Sequence, residues 1–184
     1  MFSKEIAHIQ NEELRNAVTA YMTTVVPPYF FKIGASSSGK YHPKFSQGEG
    51  GLVRHTKAVV MFLEELLRLS SYAYMPEDYK DYAYAAAIMH DTCKYGFGEE
   101  LDKTKYADHA ANAAANWEEF CEVMNYQPHP FIAMAIRAHM GQWTTNKDEK
   151  PFTNIDRVVH LADYIASRSF IDIPSFKEEE ETES

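Results

Sequence analysis

Apolar residues recur at helical spacing along most of the chain. Between residues 52 and 70, for example, Leu52, Val59, Leu63 and Leu66 fall on one side of a helix, and polar residues fall on the other. The same pattern predicts six helices, at residues 3–25, 52–70, 79–94, 104–125, 131–139 and 154–170. Alternating apolar and polar positions, which are typical of half-buried strands, are scarce. The sequence therefore predicts an all-α fold, a compact single-domain helical bundle.

The segments outside these helices divide the chain further. Residues 1–28 carry an N-terminal packing helix, and 29–51 form a long loop rich in Gly and Ser, with a short extended piece expected at its start. Residues 52–170 form the helical core. The segment 171–184 is dominated by Glu and Ser, which predicts a disordered acidic tail. The loop contains Ser-Gly-Lys40 but lacks the full phosphate-binding loop pattern, so we reject a P-loop.

Length and composition narrow the class of protein. A chain of 184 residues suits one domain with a substantial core, and a net charge of −9 without a basic face argues against long nucleic acid as a partner. Cys93 and Cys121 are the two cysteines, which indicates no disulfide framework and a reducing compartment. No apolar run approaches the roughly 18 residues of a membrane span, and the start lacks a signal-peptide pattern. We expect a cytoplasmic protein without a membrane partner; the sequence does not indicate an oligomeric state.

Six ionisable residues fall on the apolar faces of five successive predicted helices. They are His55, His90, Asp91, His109, His139 and Asp163. Each one alone fits an ordinary buried residue with a hydrogen-bond partner. Burying charge is costly unless the group is paired or binds a metal, and four imidazoles with two carboxylates in one helical core suit a divalent metal of intermediate hardness. The set as a whole therefore indicates a metal site.

In their sequence context these residues resemble a known family. Gly50-Gly-Leu-Val-Arg-His55-Thr, His90-Asp91-Thr-Cys-Lys94, His109, His139 and Asp163 resemble the HD-domain superfamily of metal-dependent phosphohydrolases, over roughly residues 50–168. Two positions depart from the family pattern. Cys93 stands where a small residue is usual, and Met140 follows His139 where members that cleave cyclic dinucleotides often carry a second histidine.

The resemblance implies a ligand set and a cofactor. His55, His90, Asp91 and Asp163 would hold one divalent transition metal, which could be Mn, Fe, Co, Ni or Zn. His109 and His139 would hold a second metal, with Asp91 bridging the two. The implied activity is hydrolysis of a phosphoester or phosphoanhydride bond in a small nucleotide, as in nucleotidases or cyclic-nucleotide phosphodiesterases.

Roles for other residues follow from this expected chemistry. Asp91 and Lys94 are the catalytic candidates, Asp91 as the central ligand and Lys94 as a cation that stabilises phosphate charge in the transition state. Lys40, His42 and Lys44 are candidates for binding the phosphorylated substrate. The alternative for these three is a solvated loop with no contact to substrate.

Two other functions remain open on the sequence alone. The same six ligands resemble those of the di-iron oxygenases of this fold, which use O₂ to cleave a C–C or C–P bond. Mixed histidine and carboxylate ligation suits iron as well as manganese, so the sequence leaves this function open. A regulatory module that binds a metal without turnover is the other alternative. Metal content, redox spectra and oxygen uptake would distinguish the three functions.

Overall fold

A computed structural model describes residues 1–36, 42–144, 146, 149–174 and 176. These residues form seven α-helices, which are α1 (Ser3–Ile6), α2 (Glu12–Thr24), α3 (Gly51–Leu67), α4 (Glu77–Met89), α5 (His109–Val123), α6 (Pro130–Ala138) and α7 (Asn154–Ala166). Four short 3-10 helices lie at Pro28–Phe31, Lys44–Ser46, Lys103–Asp108 and Gly141–Trp143. No strand occurs within the described ranges, and the all-α prediction is confirmed.

The core lies among α3, α4, α6 and α7, with α5 packed on α6 and α2 packed on α4 and α5. Alanine dominates the middle of α4, where Ala83 and Ala85–Ala87 are fully buried. Small side chains let the neighbouring helices approach α4 closely on several sides. Larger side chains fill the core between other helices: the buried Trp117 of α5 packs edge-to-face with the buried Tyr21 of α2, with 5.5 Å between ring centroids.

The prediction of one helix over residues 3–25 is wrong, because a turn separates α1 from α2. Asp81 of α4 is buried beside this turn, and its two carboxylate oxygens accept the backbone amides of Gln10 and Asn11, both at 2.8 Å. Asn11 then caps α2 by accepting the amide of Leu14 at 2.9 Å. A carboxylate from a distant helix thus fixes the break.

The predicted loop is more structured than its composition suggests. The stretch expected to be extended is instead the 3-10 helix Pro28–Phe31, with proline at a position where no amide hydrogen is needed. The Ala35 amide binds the Ser46 carbonyl at 2.9 Å, and the Leu52 amide binds the Ile33 carbonyl at 2.9 Å. These bonds close the base of the loop against the start of α3.

The first part of the predicted acidic tail also packs. Ile173 and Phe176 are buried, and the ring of Phe176 lies 5.2 Å from that of Phe45, centroid to centroid. The expected disorder therefore does not extend to these residues, because two apolar side chains are covered by the core. Residues 175 and 177–184 lie outside the described part of the chain. Among the helices that are described, we find none with the length and apolar character needed to cross a membrane.

Candidate metal centre

Three of the predicted ligands follow directly on a helical turn. His90 comes just after α4, His139 just after α6, and His109 just after the 3-10 helix Lys103–Asp108. The last carbonyls of a helix lack amide partners in their own helix. Here the imidazoles satisfy them: Nδ1 lies 2.8 Å from the Ala87 carbonyl in His90, 2.7 Å from the Tyr106 carbonyl in His109 and 2.7 Å from the Ile136 carbonyl in His139. A carbonyl can only accept, so each Nδ1 carries the proton and each Nε2 presents a lone pair.

Asp91 lies between two pairs of imidazole nitrogens, because Nε2 of His55 joins the three just described. Its Oδ1 is 3.3 Å from Nε2 of His109 and 3.7 Å from Nε2 of His139. Its Oδ2 is 3.7 Å from Nε2 of His90 and 4.0 Å from Nε2 of His55. Each carboxylate oxygen thus faces a different pair of imidazoles.

Asp163 of α7 completes the side that contains His55 and His90. Its Oδ1 lies 3.0 Å from Nε2 of His55 and 3.8 Å from Nε2 of His90. The two carboxylates and four imidazoles form three overlapping groups, in each of which the ligand atoms lie within 4.8 Å of one another. Donor atoms that bind the same ion at about 2.0–2.2 Å stand roughly 3–4 Å apart. The distances given above between carboxylate oxygens and imidazole nitrogens match that range.

Unpaired lone pairs in this centre also fit a bound cation. Nε2 of His109 lies 3.1 Å from Nε2 of His139, although both nitrogens are acceptors when Nδ1 holds the proton. Nε2 of His90 and Oδ1 of Asp91 are buried and lack a hydrogen-bond partner among the described residues. Facing lone pairs and orphaned buried acceptors are unfavourable unless a positive charge lies between them.

Burial and neighbouring charges keep these groups in their metal-binding forms. Burial lowers the pKa values of His90, His109 and His139. The pKa of His139 falls to about 3, because repulsion from a proton on His90 or His109 adds to the effect of burial. Burial opposes ionisation of Asp91, but Lys94 and the histidines outweigh it, and the pKa of Asp91 lies well below its usual range. Asp163 likewise has a lowered pKa, because its hydrogen bond from His55 and the nearby His90 outweigh the opposing effect of burial. Neutral imidazoles and charged carboxylates are the species that bind divalent metals.

Lys94 adds a fixed positive charge to the centre. Its Nζ lies 2.6 Å from Oδ2 of Asp91, and the side chain is buried. Burial alone would lower the pKa of Lys94, but Asp91 outweighs it and the pKa is raised, so the amine is an ammonium. Two buried hydrogen bonds hold the turn that precedes Lys94. The thiol of Cys93 accepts from the Asn116 side-chain amide at 3.0 Å, and the Thr92 hydroxyl bonds to the Tyr21 hydroxyl at 3.0 Å. Cys93 thus occupies the turn without moving Lys94 away from Asp91.

The centre opens into a cavity of about 440 Å³, within the range of small-molecule sites. The residues that line it are His42, His55, Asp91, Lys94, Tyr106, His109, His139, Met140, Trp143, Asp163, Ser167 and Arg168. His90 lies behind this surface and is fully buried. On one side of the cavity the ring of Tyr106 stacks on that of His109, with 5.2 Å between centroids.

The structure separates the three candidates for substrate binding. His42 lines the cavity, 5.6 Å from the His55 ring between centroids, and its Nδ1 is buried. Lys44 is exposed at the start of its 3-10 helix and does not contribute to the cavity lining. Lys40 lies in 37–41, outside the described residues. A substrate contact for any of the three stays a prediction.

Sequence reasoning missed five residues of the cavity wall: Tyr106, Met140, Trp143, Ser167 and Arg168. Tyr106 fits the apolar face of the helix predicted at residues 104–125, which indicates a packing residue, and none of the other four was placed on such a face. A large aromatic residue in the polar segment 142–153 was the signal available for Trp143. For Arg168, the signal was its position five residues after Asp163, at the end of the same helix.

Comparison with known proteins gives one match. Residues 52–168 match the family model of the HD domain, and this match covers more than half of the chain. No curated protein and no solved structure matches the chain. The matched segment contains all six residues of the candidate metal centre, from His55 on α3 to Asp163 on α7. The chain therefore belongs to the HD-domain family.

Proposed function

We propose that this protein is a metal-dependent phosphohydrolase that cleaves a phosphoester or phosphoanhydride bond of a small nucleotide. The observation that carries the proposal is the position of Asp91, whose two oxygens face two pairs of imidazoles at the base of an open cavity. Membership of a family whose members are in general metal-dependent hydrolases supports the reaction class.

The residues would divide between two metal positions. His55, His90, Asp91 and Asp163 would hold one divalent ion, and His109 and His139 would hold the other, with Asp91 shared. Such ions would supply Lewis acidity towards a phosphoryl oxygen and activate water as the nucleophile at neutral pH. The remaining chemistry belongs to the chain itself.

Charge around the cavity supports an anionic substrate despite the overall acidity of the chain. The net charge is −9, yet Lys94 and Arg168 both line the cavity. Lys94 cannot swing freely, because Asp91 holds its ammonium at 2.6 Å. A cation that is already oriented stabilises the charge that develops on a phosphoryl group without first reorganising, which favours the transition state over the ground state.

The walls would position the substrate and limit access of bulk water. His42 and Tyr106 stand on either side of the ligand set, next to His55 and His109 respectively. Partial enclosure strengthens the electrostatic contacts inside, because the effective dielectric constant falls. In this arrangement Lys94 provides charge, and the wall residues provide orientation.

Metal analysis tests the ligand assignment. Wild-type protein loaded with Mn²⁺ or Fe²⁺ should contain up to two ions per chain, and Asp91→Ala should lose bound metal and activity together. The double variant His109→Ala/His139→Ala should retain about one ion and lose most turnover. His8→Ala is a matched control, because His8 stacks on Tyr84 at 4.8 Å, away from the cavity. Unchanged metal content in Asp91→Ala would contradict the assignment.

Turnover decides between the hydrolase and an oxygenase. Phosphate release should be measured from a panel of nucleotides with Mn²⁺, Fe²⁺, Co²⁺ or Mg²⁺, in parallel in air and under strictly anaerobic conditions. A hydrolase releases phosphate equally in both atmospheres. Activity that requires O₂ would refute the proposal in favour of oxygen chemistry, and metal binding without any turnover would favour a regulatory module.

A further inference from the structure

Three side chains stack against one another at one end of the cavity. The indole of Trp143 stacks on the ring of Tyr164, with 5.6 Å between centroids and 14° between planes. The guanidinium carbon of Arg168 lies 4.3 Å from the centroid of the Tyr164 ring and 5.6 Å from that of the Trp143 ring. We call Trp143, Tyr164 and Arg168 the aromatic wall.

Hydrogen bonds hold parts of the aromatic wall in place, although Trp143 is exposed. Arg168 donates from Nε to the Tyr164 carbonyl at 3.1 Å and from Nη2 to the Ser167 hydroxyl at 2.8 Å, which fixes the plane of the guanidinium. Trp143 ends the 3-10 turn that begins at Gly141, and its amide binds the Met140 carbonyl at 3.1 Å. The His139 ligand lies just before this turn, so the wall and the metal centre share one short segment.

Trp143 does not belong to the hydrophobic core. It is 48% exposed, whereas Trp117, the other tryptophan of the chain, is fully buried in the core. Tyr164 lies outside the cavity lining, while Trp143 and Arg168 belong to it. The tyrosine therefore supports the indole from behind, and the accessible indole surface contributes to the cavity.

The geometry points to the aromatic wall as the platform on which the nucleobase of the substrate stacks. This inference rests on the proposed function, and it adds the part of the nucleotide that is recognised. Any base offers a flat π-face, and stacking on an aromatic side chain binds bases with little sequence preference. A guanidinium has five N–H donors, and the two described bonds use Nε and Nη2, so Arg168 keeps donors for a phosphate or a base edge.

Tyr106 is a less suitable platform than Trp143. Its ring stacks on His109 at 5.2 Å and lies 5.9 Å from the Tyr95 ring, centroid to centroid. Lys94 also lies 5.8 Å from the Tyr106 ring centroid. These contacts place Tyr106 next to Lys94 and the candidate ligand His109, where the proposed reaction would take place. The base would then lie at the Trp143 end of the cavity, with its phosphate towards Lys94 and Asp91.

Ligand binding tests this inference, and it is recorded on the Lys94→Ala background, in which loss of the oriented cation slows hydrolysis of the ligands. Metal-loaded protein should be titrated with AMP, GMP, CMP and UMP, and separately with ribose 5-phosphate and inorganic phosphate, while tryptophan emission and heat are recorded. We expect each nucleotide to quench the emission of Trp143, and ribose 5-phosphate to bind more weakly without quenching. Trp143→Ala should weaken nucleotide binding roughly 5- to 150-fold and leave ribose 5-phosphate unaffected. Trp143→Phe should retain most of the affinity, because a flat ring remains.

The outcomes separate this inference from the proposed function. Equal affinity for nucleotides and ribose 5-phosphate, or equal weakening of both by Trp143→Ala, would overturn the aromatic wall as a base platform. Phosphate release together with equal affinity for nucleotides and ribose 5-phosphate would leave the phosphohydrolase proposal intact while this inference fails. Quenching by nucleotides but not by ribose 5-phosphate, without any phosphate release, would support the base platform and contradict the phosphohydrolase proposal. Emission from the buried Trp117 reports whether Trp143→Ala is correctly folded.

Discussion

At the scale of single residues, the Lys94–Asp91 pair has two roles that conflict in an ordinary protein core. A buried ion pair costs desolvation that its attraction only partly recovers. Here Asp91 also faces four imidazole nitrogens, and Lys94 also lines the cavity. The arrangement suits a site where the lysine must stay charged and oriented before substrate arrives.

Replacing this lysine should affect chemistry more than metal binding. We expect Lys94→Ala to lower kcat and kcat/KM together, by roughly 30- to 1000-fold, which corresponds to about 2–4 kcal/mol in the transition state. Steady-state kinetics with metal analysis would measure both effects. Lys57→Ala is the control, because Lys57 is half-buried on α3 and lies outside the cavity lining. Wild-type kinetics in Lys94→Ala would refute the proposed role.

The six candidate ligands were accessible from sequence because each combines a titratable group with an apolar helix face. That combination is unfavourable unless something compensates it, so it marks a residue without an alignment. The wall residues Trp143 and Arg168 carry no such signature. Their proximity to the centre depends on how the chain turns after α6 and α7, which hydrophobic periodicity does not encode.

At the scale of helices, the sequence predicted which segments are helical but misplaced several ends. The helix expected to reach Lys94 ends at Met89, and the one expected from Thr104 begins at His109. At both ends the imidazole of a candidate ligand, His90 or His109, donates a hydrogen bond from Nδ1 to a backbone carbonyl three residues earlier. The break before α2 depends on Asp81, 70 residues away from Asn11 in the chain. Long-range contacts of this kind override local periodicity.

The turn after α6 gives a prediction at this scale. Gly141 has φ = 57°, and a Cβ there would lie 2.1 Å from Cε1 of His160, whose Nδ1 binds the His139 carbonyl at 2.7 Å. Gly141→Ala should therefore displace His160, lower metal occupancy at the proposed position between His109 and His139, and destabilise the fold. Metal analysis and urea unfolding would measure the two effects.

Gly48 supplies a matched control for this substitution. Its φ is 68°, and a Cβ there would meet nothing within 4 Å. Gly48→Ala should cost only the strain of a left-handed backbone, about 1–2 kcal/mol. The larger loss is expected in Gly141→Ala, and equal effects in the two variants would contradict the role of the His160 contact.

At the scale of the whole molecule, the buried histidines make stability depend on pH. His90, His109 and His139 have lowered pKa values in the folded state because burial disfavours their charged forms. Their ordinary pKa is near 6.5 in the unfolded chain. Between that value and the folded pKa, about 3 for His139, the unfolded state binds more protons. Lowering the pH through this window therefore destabilises the metal-free protein.

The expected slope can be measured directly. For each of these histidines, the free energy of unfolding of chelator-treated protein should fall by about 1.4 kcal/mol per pH unit inside the window. Urea unfolding at several values between pH 7 and pH 5 would measure it. His139→Asn should reduce the slope by the share of one histidine. A stability that does not change across this range would contradict neutral, buried imidazoles.

The bonds between the imidazoles and the backbone have a consequence for how such a protein can evolve. His90, His109 and His139 are oriented by carbonyl groups, and every amino acid provides a carbonyl. Tyr106, for example, could be replaced by another residue without removing the acceptor that holds His109. The side chains that line the cavity beside the candidate ligands are therefore free to diverge while the orientation of these imidazoles persists. In a lineage that carries this centre, new specificities can arise by single substitutions in the cavity wall, without passing through forms that have lost the centre.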